Sequence, residues 1–131
     1  MKQEELEQYQ DLKREIEQVQ VRVRALEHAA EPGAQRLTGL PAAPGVTDRL
    51  GDYAAEIADL QAVIGERYRR CLRERIRLEQ YISAADDSLT RQVLTLRFVD
   101  GLGYPQIARR LGSRHSPEAL RQRTSRYLKQ H

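Results

Sequence analysis

The chain has 131 residues and a formal net charge of +3, and it is 31% charged but only 5% aromatic. That composition is poor in the bulky apolar side chains of a thick globular core, contains no run near the ~20 apolar residues of a membrane span, and has one cysteine, which excludes an internal disulfide framework. The charge is uneven, because residues 87–131 carry nine basic against three acidic side chains, and this favours either a polyanionic partner or a solvated basic face.

The first predicted element is a coiled-coil-like helix over residues 1–30. Its polar, acidic start, MKQEELEQ, is unlike a signal peptide, so we expect a cytoplasmic protein without a membrane partner. Apolar side chains at alternating spacings of three and four form a heptad seam: Tyr9, Leu12, Ile16, Val19, Val23 and Leu26. Leu6 falls at a flanking position. One apolar stripe cannot be buried by a single helix, so the helix needs a partner.

A Pro/Gly-rich linker, EPGAQRLTGLPAAPGVT, occupies residues 31–47 and ends the first helix. A second long helix is predicted over residues 48–83, with Thr47 or Asp48 as its cap. Its seam begins with Leu50, Tyr53, Ile57, Leu60 and Ile64. It then shifts to Tyr68, Leu72 and Ile76, which we interpret as a stutter in one continuous helix.

Two seams of similar length predict an all-α fold, with a long antiparallel helical hairpin followed by a small three-helix domain. Because two thin helices bury little, we expect a homodimer joined through this helical arm. The second half of the second helix is rich in arginine. Its arginines are interpreted as a solvated surface with ion pairs, or as a secondary phosphate-contacting face: Arg67, Arg69, Arg70, Arg73, Arg75 and Arg77.

The last 45 residues, 87–131, are predicted to form three short helices. The first begins near Leu89 after a cap at Asp86, Asp87 or Ser88 and ends at the Asp100-Gly101 pair. Tyr104-Pro105 opens the second, which ends at Gly112. After the turn Ser113-Arg114-His115, Ser116 caps the third helix, which extends to about Lys129. This is the order of a helix-turn-helix.

The exposed face of the last helix carries the side chains that read base edges in the major groove. Helical spacing predicts that these residues share that face: Ser116, Pro117, Glu118, Arg121, Gln122 and Ser125. The opposite face, with Leu120, Thr124, Tyr127 and Leu128, can pack inward. Basic side chains around the exposed face suit phosphate contacts: Arg109, Arg110, Arg114, His115, Arg123, Arg126 and Lys129.

The run LTRQVLTLRFVDGLGYPQIARRLG, followed by SPEALRQRTSRYLK, resembles region 4 of the sigma-70 family of RNA polymerase factors. The similarity covers about Leu89 to Lys129. It implies contacts to a promoter-like duplex from Glu118, Arg121 and Gln122. The sequence departs from that family in a turn after Gly112 that is about two residues longer, in Arg123 at a usually apolar position, and in the absence of the other sigma regions.

The whole chain is similar to a small phage and prophage family that joins a coiled-coil segment to a sigma-region-4-like end, related to late-gene activators of the ArpU and RinA type. The resemblance implies a sequence-specific, DNA-binding transcriptional regulator of bacterial or prophage origin. Its recognition helix would enter the major groove from about Ser116, and RNA polymerase would be a further partner. Two alternatives stay open: the recognition component of a phage DNA-packaging complex, and an interaction module that binds RNA polymerase without reading DNA.

Enzymatic activity is not expected. The sequence contains neither a GxxxxGK[ST] nor a GxGxxG loop, and His28, His115 and His131 lack ligand partners at metal spacing. We therefore expect no catalytic residue, no cofactor and no metal. Cys71 is interpreted as a small core side chain, as are the seam tyrosines Tyr9, Tyr53 and Tyr68.

Overall fold

Every regular element is helical in the computed structural model, which describes residues 1–31 and 46–131, and those residues contain no strand. The all-α expectation is confirmed. The elements are α1, Gln3–Ala29; α2, Val46–Ser83; α3, Ser88–Leu94, continued by a π-helical turn, Thr95–Val99; α4, Tyr104–Arg110; and α5, Pro117–Gln130. The predicted linker lies almost wholly outside the described residues. None of the described helices is long and apolar enough to cross a membrane.

The chain divides into two compact units. The arm unit is residues 13–69, and the C-terminal unit combines residues 1–12 with residues 70–131. In the arm unit, the predicted seam of α1 is confirmed, because Ile16, Val19 and Val23 are buried. On α2 the seam side chains Tyr53, Ile57, Leu60 and Ile64 are half-buried, whereas Leu50 is exposed.

The predicted stutter in α2 is wrong. Tyr68, Leu72 and Ile76 are exposed, at 56%, 46% and 57% of their surface, while Cys71, Leu78 and Ile82 are buried. Steps of four residues advance about 40° each around a helix of 3.6 residues per turn, so they rotate out of the seam. The alternation of three and four instead continues without a break through half-buried Arg67 and Glu74. Polar residues at seam positions hid this continuity.

The C-terminal unit is built around one apolar cluster. Its centre is Val93 on α3, Ile107 and Ala108 on α4, and Leu120 on α5, all at most 6% exposed. Half-buried side chains surround this centre: Leu89, Leu96, Leu102, Tyr104 and Leu111. Each helix therefore contributes one apolar face to a shared core, as the predicted inner faces of α4 and α5 require.

The start of α1 belongs to the same unit and binds the last carbonyls of the π-helical turn that continues α3. The Gln10 side-chain amide donates to the Phe98 carbonyl (3.2 Å) and the Val99 carbonyl (2.6 Å), which lie in the last turn of the π-helical segment. Gly101 follows with φ +75°, and a Cβ there would lie 2.9 Å from Gln10 Oε1. Glycine is therefore needed both for the left-handed turn and for the approach of Gln10. Leu6, predicted at a flank, is only 1% exposed in this unit.

Candidate functional site

The start of α5 is defined by the predicted cap. Ser116 has an extended backbone, and its Oγ accepts a hydrogen bond from the Ala119 amide at 3.1 Å. Pro117 occupies the first turn, and Glu118 places an acid near the positive end of the helix. The first turn of α5 is thus held in place with its side chains exposed.

The turn before α5 is tightened at Gly112 and Ser113, which both have positive φ, of 83° and 59°. The Ser113 amide donates to the Ala108 carbonyl at 2.8 Å, and the Gly112 amide donates to the Arg109 carbonyl at 3.1 Å. These bonds satisfy the last carbonyls of α4. The next two residues of the turn are Arg114, which is exposed, and His115, which is half-buried. The turn therefore presents the Arg114 guanidinium to solvent beside α5.

The two predicted faces of α5 are present. Leu120 and Thr124 are buried, and the Thr124 hydroxyl donates to the Leu120 carbonyl at 3.1 Å. The predicted base-reading residues are exposed apart from Ser125, which is half-buried: Ser116, Pro117, Glu118, Arg121 and Gln122. The structure therefore brings all six together on one outward surface, which we call the α5 face.

An ion pair within the α5 face was not predicted from the sequence. Arg121 Nε donates to Glu118 Oε2 at 3.0 Å, and Arg121 Nη2 makes a second, shorter bond to Glu118 Oε1. The hydrogen bond from Arg121 lowers the pKa of the Glu118 carboxyl, and the same bond raises the pKa of the guanidinium. The pair fixes the plane of the guanidinium on a surface that is otherwise solvated.

Arg123, predicted as a phosphate contact, is engaged within the protein. Its guanidinium pairs with Asp87 Oδ2, which also accepts from the Thr90 hydroxyl at 2.8 Å and from the Thr90 amide at 3.3 Å. These bonds, the Thr90 hydroxyl first, lower the pKa of the Asp87 carboxyl. Asp87 is thus the cap of α3, and Arg123 ties α5 to that cap. The arginine at this position therefore joins α5 to the start of α3.

Two further arginines of the basic segment also hold the fold. Arg91 Nη1 donates to the Ala85 carbonyl (2.6 Å) and the Asp86 carbonyl (2.9 Å). Arg97 donates to the Leu102 carbonyl at 3.1 Å, and its guanidinium carbon lies 4.8 Å from the centre of the Tyr104 ring. Both side chains therefore satisfy carbonyls outside regular helix hydrogen bonding.

The remaining basic side chains of residues 87–131 are exposed and have no ion-pair partner within the described part of the chain: Arg109, Arg110, Arg114, Arg126 and Lys129. Most of the positive surplus of the segment is therefore carried by these five side chains on α4, on the turn and on α5. On α2, the ion-pair interpretation holds for Arg75 with Glu79 (3.1 Å) and for Arg77 with Glu5 (3.2 Å).

Across residues 1–31 and 46–131, no group of His, Cys, Asp or Glu is arranged to hold a metal ion. Comparisons with protein-family models, with curated proteins and with solved structures found no match for this chain.

Proposed function

We propose that the chain is a sequence-specific DNA-binding regulator of transcription, of phage or prophage type, and that α5 enters the major groove of its target. The observation that carries this proposal is the α5 face. This face presents the exposed side chains of Arg121, Gln122 and Glu118 near the capped start of α5. The opposite side of the helix is buried at Leu120 and Thr124. Arg and Gln match the edges of guanine and adenine, and a carboxylate can accept from cytosine.

The Glu118–Arg121 pair gives this face a defined geometry. A guanidinium held by a carboxylate is already oriented before a base arrives, so less side-chain entropy is lost on binding. Glu118 also cancels the charge of Arg121, which reduces attraction to phosphate irrespective of sequence. We therefore assign the pair to base discrimination rather than to overall affinity.

Phosphate contacts would come from the exposed cations around the α5 face. Arg114 lies in the turn before α5, Arg109 on α4, and Arg126 and Lys129 further along α5. The half-buried His115 is the remaining candidate in the turn. Such contacts place a protein on the duplex without reading its sequence.

The proposal includes a C-terminal helix-turn-helix, an antiparallel hairpin and a homodimer formed through that hairpin. A two-fold dimer would present two α5 helices to half-sites separated by about 34–36 Å, or by a multiple of that distance. RNA polymerase is a further proposed partner, in line with the resemblance to sigma region 4.

Fluorescence anisotropy on duplexes selected from a random pool tests this function. Arg121→Ala should lower the preference for the selected sequence about ten-fold, by loss of discrimination at one base pair. Lys129→Ala should weaken selected and scrambled duplexes alike and lower the slope of log affinity against log salt by about 1. Arg22→Ala, which removes one exposed cation from the arm unit, is the control and should alter neither quantity.

Two results would overturn the assignment. If Arg121→Ala kept full specificity and Lys129→Ala left the salt slope unchanged, α5 would not be the DNA-reading element. An interaction module that binds protein alone would then explain the exposed face better. If binding were specific but reporter transcription did not respond, the DNA-packaging role would replace transcriptional regulation.

A further inference from the structure

An open groove of about 440 Å³ lies on the C-terminal unit between α3 with its π-helical turn and the end of α4. Six side chains line it: Arg91, Gln92, Thr95, Leu96, Arg110 and Leu111. None of them belongs to α5, so the groove is a separate surface from the α5 face. Its volume falls within the range of sites that hold a small molecule or a few side chains of a partner.

Leu96 and Leu111 give the groove its apolar part. Both are half-buried, and both pack against the central cluster of the unit, so their positions are set by the core. The surface they leave uncovered is apolar and rigidly supported. A ligand that fills the groove therefore gains by placing apolar atoms against these two leucines.

The polar groups of the groove favour an anionic ligand. The Thr95 hydroxyl donates to the Arg91 carbonyl at 2.8 Å, so its donor is occupied, while the Gln92 amide uses one of its two N–H groups on Ser88 Oγ at 3.1 Å. Arg91 uses Nη1 on two carbonyls, which fixes its guanidinium and leaves its other N–H groups available. Arg110 is exposed without an ion-pair partner in the described chain. No acidic side chain lines the groove.

We propose that this groove binds an acidic peptide segment of a partner protein, with an apolar side chain on Leu96 and Leu111 and a carboxylate between Arg91 and Arg110. A carboxylate matches the fork of N–H donors on a guanidinium. A DNA backbone would also satisfy the two cations, but it offers only the small apolar faces of its sugars between charged phosphates, which cover the leucines less well than an apolar side chain. This site uses no residue of the α5 face, and it assigns Arg110, which the sequence predicted as a phosphate contact, to a protein partner of defined chemistry.

Selection of binders from a random-peptide display library on the full chain tests the proposal. The enriched peptides should share an Asp or Glu beside a Leu, Ile, Phe or Met. Binding of a labelled enriched peptide should fall about ten-fold or more in Arg110→Glu, because the substitution places a like charge opposite the carboxylate. Arg22→Glu, the same change at an exposed arginine of the arm unit, should bind the peptide as the unaltered chain does. Amide chemical shifts of Leu96 and Leu111 should move on titration.

Several outcomes would overturn the proposal. These are a selection that yields no binder, enriched peptides without acidic residues, equal binding by Arg110→Glu, and shift changes confined to α5. A duplex DNA that displaces the peptide competitively from the unaltered chain, and whose own affinity falls in Arg110→Glu, would assign the groove to the nucleic-acid surface. Peptide binding that survives Arg121→Ala separates this site from the proposed function.

Discussion

The contact between Gln10 and the turn at Gly101 predicts a strong energetic coupling between two positions 91 residues apart. Gln10 donates to two carbonyls at the end of the π-helical turn, and Gly101 leaves the space that its side chain occupies. Gly101→Ala would place a Cβ 2.9 Å from Gln10 Oε1. Since the far end of a glutamine can swing away, the alanine should displace it rather than break the backbone. Both hydrogen bonds would then be lost.

The expected sizes follow from these contacts. Two hydrogen bonds at a net 0.5–1.5 kcal/mol each make the cost of Gln10→Ala about 1–3 kcal/mol. An alanine at φ +75° adds about 1–2 kcal/mol of backbone strain. Gly101→Ala should therefore cost about 2–5 kcal/mol, the sum of strain and lost bonds. The double variant should cost no more than Gly101→Ala alone, because the bonds can be lost only once.

Urea unfolding, with native-state hydrogen exchange of the Val93, Ile107 and Leu120 amides, measures this cycle in the C-terminal unit. Gly65→Ala is the matched control, since Gly65 lies within α2 with nothing within 4 Å of its Cβ position. It should raise helix stability by up to about 1 kcal/mol, with or without Gln10. If the costs of Gln10→Ala and Gly101→Ala add within about 0.5 kcal/mol in the double variant, the side chain does not cap this turn.

Three other predictions concern the same unit. Leu120→Ala should lower the free energy of unfolding by about 2–5 kcal/mol, because Leu120 is buried at the centre of the cluster. Leu72→Ala, at an exposed position, should change it by less than about 0.5 kcal/mol, and equal effects of the two variants in urea unfolding would contradict this core. Tyr81→Phe should leave stability unchanged or raise it by about 1 kcal/mol, because the buried Tyr81 hydroxyl has no hydrogen-bond partner among the described residues, and a clear loss in melting temperature would show that a partner exists. The Asp87 pKa is lowered first by the Thr90 hydroxyl, so the ionised carboxylate stabilises the folded state above about pH 4, and that stability is lost as pH falls further. Asp87→Asn should thus lower the melting temperature at pH 7 by an amount that shrinks as pH falls below about 4, and a pH-independent difference would refute this.

Much of the local structure could be predicted because it depends on neighbours in sequence. The helix ends follow from Pro105, Gly112 and Ser116, whose backbone or side-chain chemistry acts within four residues. The exposed α5 face follows from helical spacing alone. The continuation of the α2 seam was missed because Arg67 and Glu74 occupy positions where the pattern requires apolar residues.

The interactions that were not predicted join residues far apart in sequence or change the role of a charge. Gln10 gives no local signal that it caps a turn near Gly101, and Asp87 gives none that it binds Arg123. Glu118 and Arg121 were both expected on the α5 face. The ion pair between them, in which each neutralises the charge of the other, was not predicted. The charge pattern of the sequence identifies which segment is basic, but which cations are paired within the protein depends on contacts between distant residues.

The composition of the C-terminal unit has a consequence for the order in which the protein folds. Its central cluster joins Val93, Ile107 and Leu120, which lie within 28 consecutive residues, so these contacts close short loops. The contacts of Gln10 with Phe98 and of Glu5 with Arg77 instead span 88 and 72 residues. Closing long loops is slower than forming local contacts. We therefore expect the three short helices to assemble first and the start of α1 to dock last, onto a helix end that is already formed.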